Sequence, residues 1–318
     1  MHKSIFVFVA SALMLSVVNT PSYAGDGDPD GSLPQSAGVF FGNLHGTIGT
    51  EIASSNGRLL PLINGGGKIA YDSGPGGFGS QFDADYSLHD ASWDYPGVTP
   101  TTGNSSEINT AAHLTYLIDE DRKIGLFVGY RAFRKNYQDP TGALSLGSST
   151  GLTSYSTLSQ ALGVGIEGLI AISDASSLQG RVAILDRYDG LTTTNGGAGP
   201  ISTETFNLIP ANFGYLVAVG GNHQFNENLS ARADLTYYNI LPTVSNDQFI
   251  MASAALQYTL DSMPLSLGLV GGLEEQSNST GWTNTTYLGS KITYSFGGPS
   301  NGAKGKLFRS GLFSTYTN

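Results

Sequence analysis

Residues 106–118 read SEINTAAHLTYLI, and the parity of this stretch decides the fold. Ile108, Ala112, Leu114, Tyr116 and Ile118 fall on one side of an extended chain, while Asn109, Ala111, His113 and Thr115 fall on the other. Successive side chains of a strand point to opposite faces, so a period of two with one apolar face predicts a strand lying between two different surroundings. The apolar side suits hydrocarbon. The run also exceeds the five or six residues usual for a strand in water.

The pattern recurs along the chain. Before it come Phe78, Phe82, Ala84, Tyr86 and Leu88; after it come Ile124, Leu126, Val128 and Tyr130, then Leu162, Val164, Ile166, Ile170 and Ile172, then Leu178, Val182 and Ile184. Further sets are Phe213 to Val219, Leu229 to Tyr237, Ile250 to Tyr258, Leu265 to Leu269 and Leu288 to Phe296. Ten strands are read in this way. Two weaker ones, Gly38 to Ile52 and Leu59 to Tyr71, raise the count to about twelve, with ten as the alternative.

Connections alternate in length. Short ones fall at 72–77, 119–122, 173–177, 226–228 and 261–264, and long polar ones at 89–105, 136–156, 188–210, 240–247 and 275–285. Short turns on one rim, long loops on the other and an even strand number describe a transmembrane barrel with both chain ends on the short-turn side. Hydrocarbon offers no partner to an unpaired N–H or C=O, each of which costs several kcal/mol there, so such a sheet must close. The predicted fold is all-β, a closed antiparallel transmembrane β-barrel over residues 37–297.

Composition agrees with this reading. The chain has 318 residues with no cysteine, so neither disulfides nor thiolate metal sites are available. Glycine, at 43 residues, is about twice its usual share, and the 13% of charged residues is about half the ordinary share. The net charge of −10 argues against a nucleic-acid partner, which requires a basic face. At the start, Lys3, the apolar stretch Ile5 to Val18 and Ser22-Tyr23-Ala24 match a secretory signal peptide over 1–24, cleaved after Ala24. That stretch is too short for hydrocarbon, where about 20 apolar residues are needed. Residues 25–36 read as an acidic flexible leader. Within it Asp26, Asp28, Asp30 and Gly31 match half of a calcium loop, but Ala37 stands where the bidentate Glu belongs, so no metal is expected.

The strand faces opposite the apolar ones carry the charges. Asp83, Asp85, Glu107, Arg131, Glu167, Arg181, Arg187, Arg232, Asp234, Glu274 and Lys291 all alternate inward. A Lys or Arg facing lipid at mid-depth costs about 2–4 kcal/mol, which nearly forces this placement. These residues are candidates for lining a pore, either as a charged constriction that selects permeants or as a salt-bridged plug that stiffens a narrow barrel. Gly125, Gly129, Gly163, Gly165, Gly214, Ala218, Gly220, Gly268 and Gly272 also point inward and are expected to leave room for water.

Evidence for an enzyme is thin. Of the histidines beyond the signal, His45, His89, His113 and His223, two share a face with a hydroxyl, His113 with Thr115 and His89 with Ser87. Such pairs arise by chance in a chain rich in Ser and Thr, and no catalytic motif accompanies them, so no catalytic residues and no cofactor are expected. The N-x-Ser/Thr triplets at Asn104, Asn278 and Asn284 read as polar loop residues.

Over most of residues 60–296 the chain resembles, in pattern, the Gram-negative outer-membrane β-barrel proteins of the porin-like kind. The last strand carries the sharpest resemblance: Gly289, Ile292, Tyr294 and Phe296 look like the signal recognised by the barrel-assembly machinery. Those proteins usually end at the final aromatic, whereas here a tail follows to Asn318, and 298–318 is read as a periplasmic extension. The resemblance implies the cell outer membrane as location, outer-membrane lipid, lipopolysaccharide and the assembly machinery as partners, and passive diffusion of small hydrophilic solutes as function. Two alternatives stay open: a structural or surface-interaction barrel with a filled lumen, and an outer-membrane barrel hydrolase.

Overall fold

The computed structural model describes residues 39–53, 59–93, 101–138, 144–146, 149–195, 202–241, 247–261, 263–278, 281–297 and 306–308. Among them every regular element is a strand: β1 (Val39–Ala53), β2 (Leu59–Asp72), β3 (Phe78–Trp93), β4 (Thr101–Leu117), β5 (Arg122–Gln138), β6 (Leu144–Leu146), β7 (Ser149–Ser173), β8 (Ser176–Asn195), β9 (Ser202–Gln224), β10 (Leu229–Leu241), β11 (Asp247–Thr259), β12 (Leu265–Asn278) and β13 (Gly281–Phe296). Each pairs antiparallel with its sequence neighbour, apart from the three-residue β6, which pairs with β7 alone. Two further ladders seal the ring, β5 against β7 and β1 against β13. The result is a closed antiparallel barrel of twelve strands.

Both weakly patterned segments are strands, so the alternative count of ten does not hold. Phe296 pairs with Gly42 and ends the final strand, and Gly289, Ile292 and Tyr294 sit in the same ladder. Strand ends differ from the expectation on the long-loop rim. β3 runs to Trp93, β8 to Asn195 and β13 from Gly281, all inside stretches read as loops. There the Ser-, Thr- and Asn-rich sequence loses its apolar face without losing backbone pairing. A strand that rises out of hydrocarbon has water on its outer side and no longer needs a hydrophobic half.

The short turns are closed locally. Gly76 adopts φ +75°, a conformation that L side chains resist, and its N–H donates to the carbonyl of Leu117 at 2.7 Å. In the turn before β10, the side-chain oxygen of Asn226 accepts from the N–H groups of Asn228 and Leu229 at 2.9 and 2.8 Å. In the turn before β5, Arg122 Nε donates to Asp119 at 2.7 Å, and this exposed partner holds the Asp119 carboxyl below the usual carboxylate range.

The outer wall is apolar, with Ile48 at 71% exposure and Leu114, Ile166, Leu267 and Leu288 also exposed. On the short-turn rim aromatic side chains gather in pairs, Phe78 with Tyr116 at 5.2 Å and Phe40 with Phe296 at 6.3 Å between ring centroids. An apolar band flanked by aromatic side chains matches the profile of a membrane and its interface.

Candidate functional site: the lumen

Inside, the alternation places every charged residue picked out by parity on the inner wall, Lys291 opposite Thr47 and Gly268 on the adjacent strands, and most of the others in defined pairs. Glu167 and Arg181 stand opposite each other on β7 and β8, and the guanidinium donates twice to one carboxylate oxygen, at 3.1 and 2.7 Å. Arg131 on β5 donates to Glu107 on β4 at 2.7 Å. Arg232 donates to Asp234 at 2.8 Å along β10 itself, and Gln179 adds a bond to Asp234 at 3.3 Å. Arg187 is bonded to Ser159 at 3.2 Å and stands 5.9 Å from the ring of Phe249. Glu274 lies within electrostatic range of Arg131, Glu107, Glu51 and Lys135. Each of these ion pairs joins positions on one strand or on adjacent strands.

One histidine reaches further. His113 on β4 sets Nε2 3.0 Å from Asp83 on β3 and Nδ1 2.5 Å from Glu167 on β7, passing over β5. Arg181 then lies 4.1 Å above the ring of Phe127. Asp83, Glu167, His113 and Arg181 thus form one buried cluster, in which the imidazole lies between two carboxylates and the guanidinium is held on one of them. With both nitrogens on carboxylates, His113 is not available to activate Thr115, and Ser87 accepts from Asn64 at 2.8 Å while Nδ1 of His89 faces Glu51 at 2.9 Å. On the exposed short-turn rim, Ser176 Oγ lies 2.8 Å from His223 Nδ1, but the ring packs edge-on against Phe225 rather than on a carboxylate.

Several small inward positions, Gly165, Gly220 and Gly272 among those expected to leave room for water, stand against neighbouring side chains. A Cβ at Gly66 would stand 2.1 Å from an oxygen of Asp85, one at Gly220 2.0 Å from an oxygen of Asp234, and one at Gly165 2.7 Å from the Phe127 ring. These positions receive neighbouring side chains. Asp85, for its part, stands 2.9 Å from His45 Nε2. Asp83 is fully buried, and Leu62 and Phe127 are 0% and 1% exposed although both point inward. An apolar cluster built on Phe127, Leu185, Leu216, Tyr238, Phe249 and Met251 fills one side of the interior, with Tyr238 and Phe249 stacked at 4.1 Å.

The tail also departs from expectation. Gly297 turns at φ +86°, and residues 306–308 lie inside the barrel rather than outside it. Phe308 is 1% exposed, packs on Leu117 and Leu169, and stacks parallel to His113 with centroids 6.1 Å apart. Its carbonyl accepts from Lys68 and from Gln81, both at 3.2 Å, and Lys123 donates to the carbonyl of Lys306 at 3.0 Å. Lys123 is itself paired with Asp72 at 2.6 Å. Lys68, Asp72, Gln81 and Lys123 were not among the sequence candidates. Parity would have found them, since each shares the inward face of its strand, whereas nothing in the tail's sequence marks Phe308.

No protein-family model matches the chain, and no curated protein matches it in sequence. Among solved structures it is similar to the translocator domain of the autotransporter NalP from Neisseria meningitidis, at 8% identity and a TM-score of 0.49, over 92% of this chain and 97% of that one. It is also similar to the CymD monoaromatic hydrocarbon channel, at 12% identity and a TM-score of 0.47, over 82% and 90%. A third is the toluene transporter TodX of Pseudomonas putida, at 11% identity and a TM-score of 0.40, over 82% and 89%.

Proposed function

We propose that this protein is an outer-membrane channel for small hydrophilic solutes that rests closed, with its C-terminal tail drawn into the periplasmic end of the lumen. The observation that carries the reading is the seating of residues 306–308 on the charged inner wall, through Lys68, Gln81 and Lys123. Desolvating an ion costs several kcal/mol, so a lumen that needed only stiffness would be better filled with apolar side chains. A wall of paired charges instead suits a path that holds water once the tail leaves. The apolar outer wall with its aromatic rim supports the membrane location, and the Gly289 to Phe296 strand is the part that the assembly machinery would read.

A second reading, a barrel with a permanently filled lumen that works through its surface, is favoured by one observation. Leu62, Asp83 and Phe127 are almost wholly buried in the interior. Liposome swelling with sugars of graded size separates the two. The channel reading expects slow swelling with the full chain and fast, size-limited swelling with a chain ending at Gly297; no swelling from either folded form favours the filled barrel.

A further inference from the structure

The lower lumen holds a cavity of about 300 Å³ between the inner wall and the tail. At about 30 Å³ per water that is room for roughly ten waters, or for a small solute with part of its hydration shell. Among the described residues its lining carries four cationic side chains, Lys68, Arg232, Lys291 and Lys306, and no carboxylate; the remainder is neutral, with amides such as Asn222 and Gln257. This is the reverse of the chain as a whole, which carries a net charge of −10.

Asp83, Asp85 and Asp234 lie near enough to act on these cations, but none of the three is among the residues that line the cavity. Asp83 is bonded to His113, and Asp85 stands against His45, so both spend an oxygen on another partner. Arg232 is paired with Asp234, which is not among the lining residues. The ammonium of Lys68 donates to a neutral acceptor, the carbonyl of Phe308. Like charges around one small cavity repel each other in a medium less polar than bulk water, and a mobile counter-charge relieves that repulsion. Rings of Lys and Arg select anions in pores for the same reason, and amide N–H groups supply further donors to oxygen ligands.

We propose that this cavity is a binding site for a small oxyanion, a phosphate, sulfate or carboxylate group carried by a soluble solute, with the tail's Lys306 completing the wall. The site faces the lumen rather than lipid, so the ligand arrives through water. The proposal deepens the channel reading by naming a class of solute, yet binding itself does not require conduction.

The test is calorimetric titration of inorganic phosphate into the full-length folded barrel in a maltoside micelle, where no phosphate headgroup competes. Saturable binding of one phosphate per chain is expected, weakened by added salt and absent with glucose. Lys306→Gln, which alters only the tail, should weaken binding several-fold, and Lys306→Gln with Lys291→Gln at least tenfold. Barrel closure in each variant is checked by the shift in gel mobility between unheated and boiled samples. No saturable phosphate binding to folded wild-type protein, or equal affinity in the wild type and both variants, overturns the site. If phosphate binds as described while no form of the protein conducts, the channel reading fails and the site stands.

Discussion

The side-chain amide of Gln81 pairs with both main-chain groups of Phe308, accepting from its N–H at 2.8 Å and donating to its C=O at 3.2 Å. A neighbouring strand would offer the same two bonds, so the tail is docked as a short edge without joining the sheet. At about 1 kcal/mol net for each bond, Gln81→Ala should raise the undocked population of the tail roughly 30-fold, because every 1.4 kcal/mol is a factor of ten. Carboxypeptidase trimming under conditions where docking is fast measures that population. An unchanged trimming rate would show that Gln81 does not hold the tail.

Glycine placement tests whether the lumen is filled. Gly66→Ala drives a methyl into Asp85, whereas at Gly46, on the outer face, the nearest atom to a new Cβ is 3.9 Å away. Overpacking costs about 1–3 kcal/mol, so urea unfolding in micelles should shift to lower concentration for Gly66→Ala and stay near wild type for Gly46→Ala. Equal midpoints for the two would mean that the Asp85 side chain moves aside freely.

His113 ties β4 to β3 and β7 through two carboxylates. Removing it leaves Asp83 and Glu167 buried with one partner fewer, and breaking such a network costs about 3–5 kcal/mol. His113→Ala should therefore lower the unfolding midpoint more than Gly66→Ala does. A smaller loss would mean that water replaces the imidazole at little cost, and hence that the interior is wetter than the structure indicates.

Ile48 is the most exposed of the large outward residues named above and lies mid-strand, opposite Ile63 and Ser290 on its two neighbours. Ile48→Arg places a charge on the outer wall at a cost of about 2–4 kcal/mol in lipid. Insertion into phosphatidylcholine vesicles, followed by the folded band on unheated gels, should fall sharply for Ile48→Arg and little for Ile48→Ala. Similar insertion of both would argue that this wall does not face hydrocarbon.

The barrel was legible in the sequence because one face of each strand meets lipid, and Ile108, Leu114 and Tyr116 advertise that face at every second position. Charged residues such as Glu167 and Arg181 were placed correctly by exclusion, since hydrocarbon leaves them nowhere else to point. What parity does not encode is whom an inward residue meets. Gly165 and Gly220 read as open space by parity, yet the side chains of Phe127 and Asp234 lie against them. The inward Leu185, Leu216 and Phe249 escape parity because a wet interior gives inward apolar side chains nothing to pack against, whereas here they pack on one another. Strand ends carry no parity signal where both faces turn polar, and the docking of Phe308 leaves none either, because its bonds to Lys68 and Gln81 join residues more than 200 positions apart.

Single-channel recording in planar bilayers tests most directly whether the tail closes the lumen, with the full chain and a chain ending at Gly297 inserted under identical conditions. The full chain should stay mostly closed with rare brief openings, and the shortened chain should show frequent, long-lived conductance steps. Identical conductance from the two, or none from a shortened chain shown to be folded, would contradict a lumen closed by its own tail.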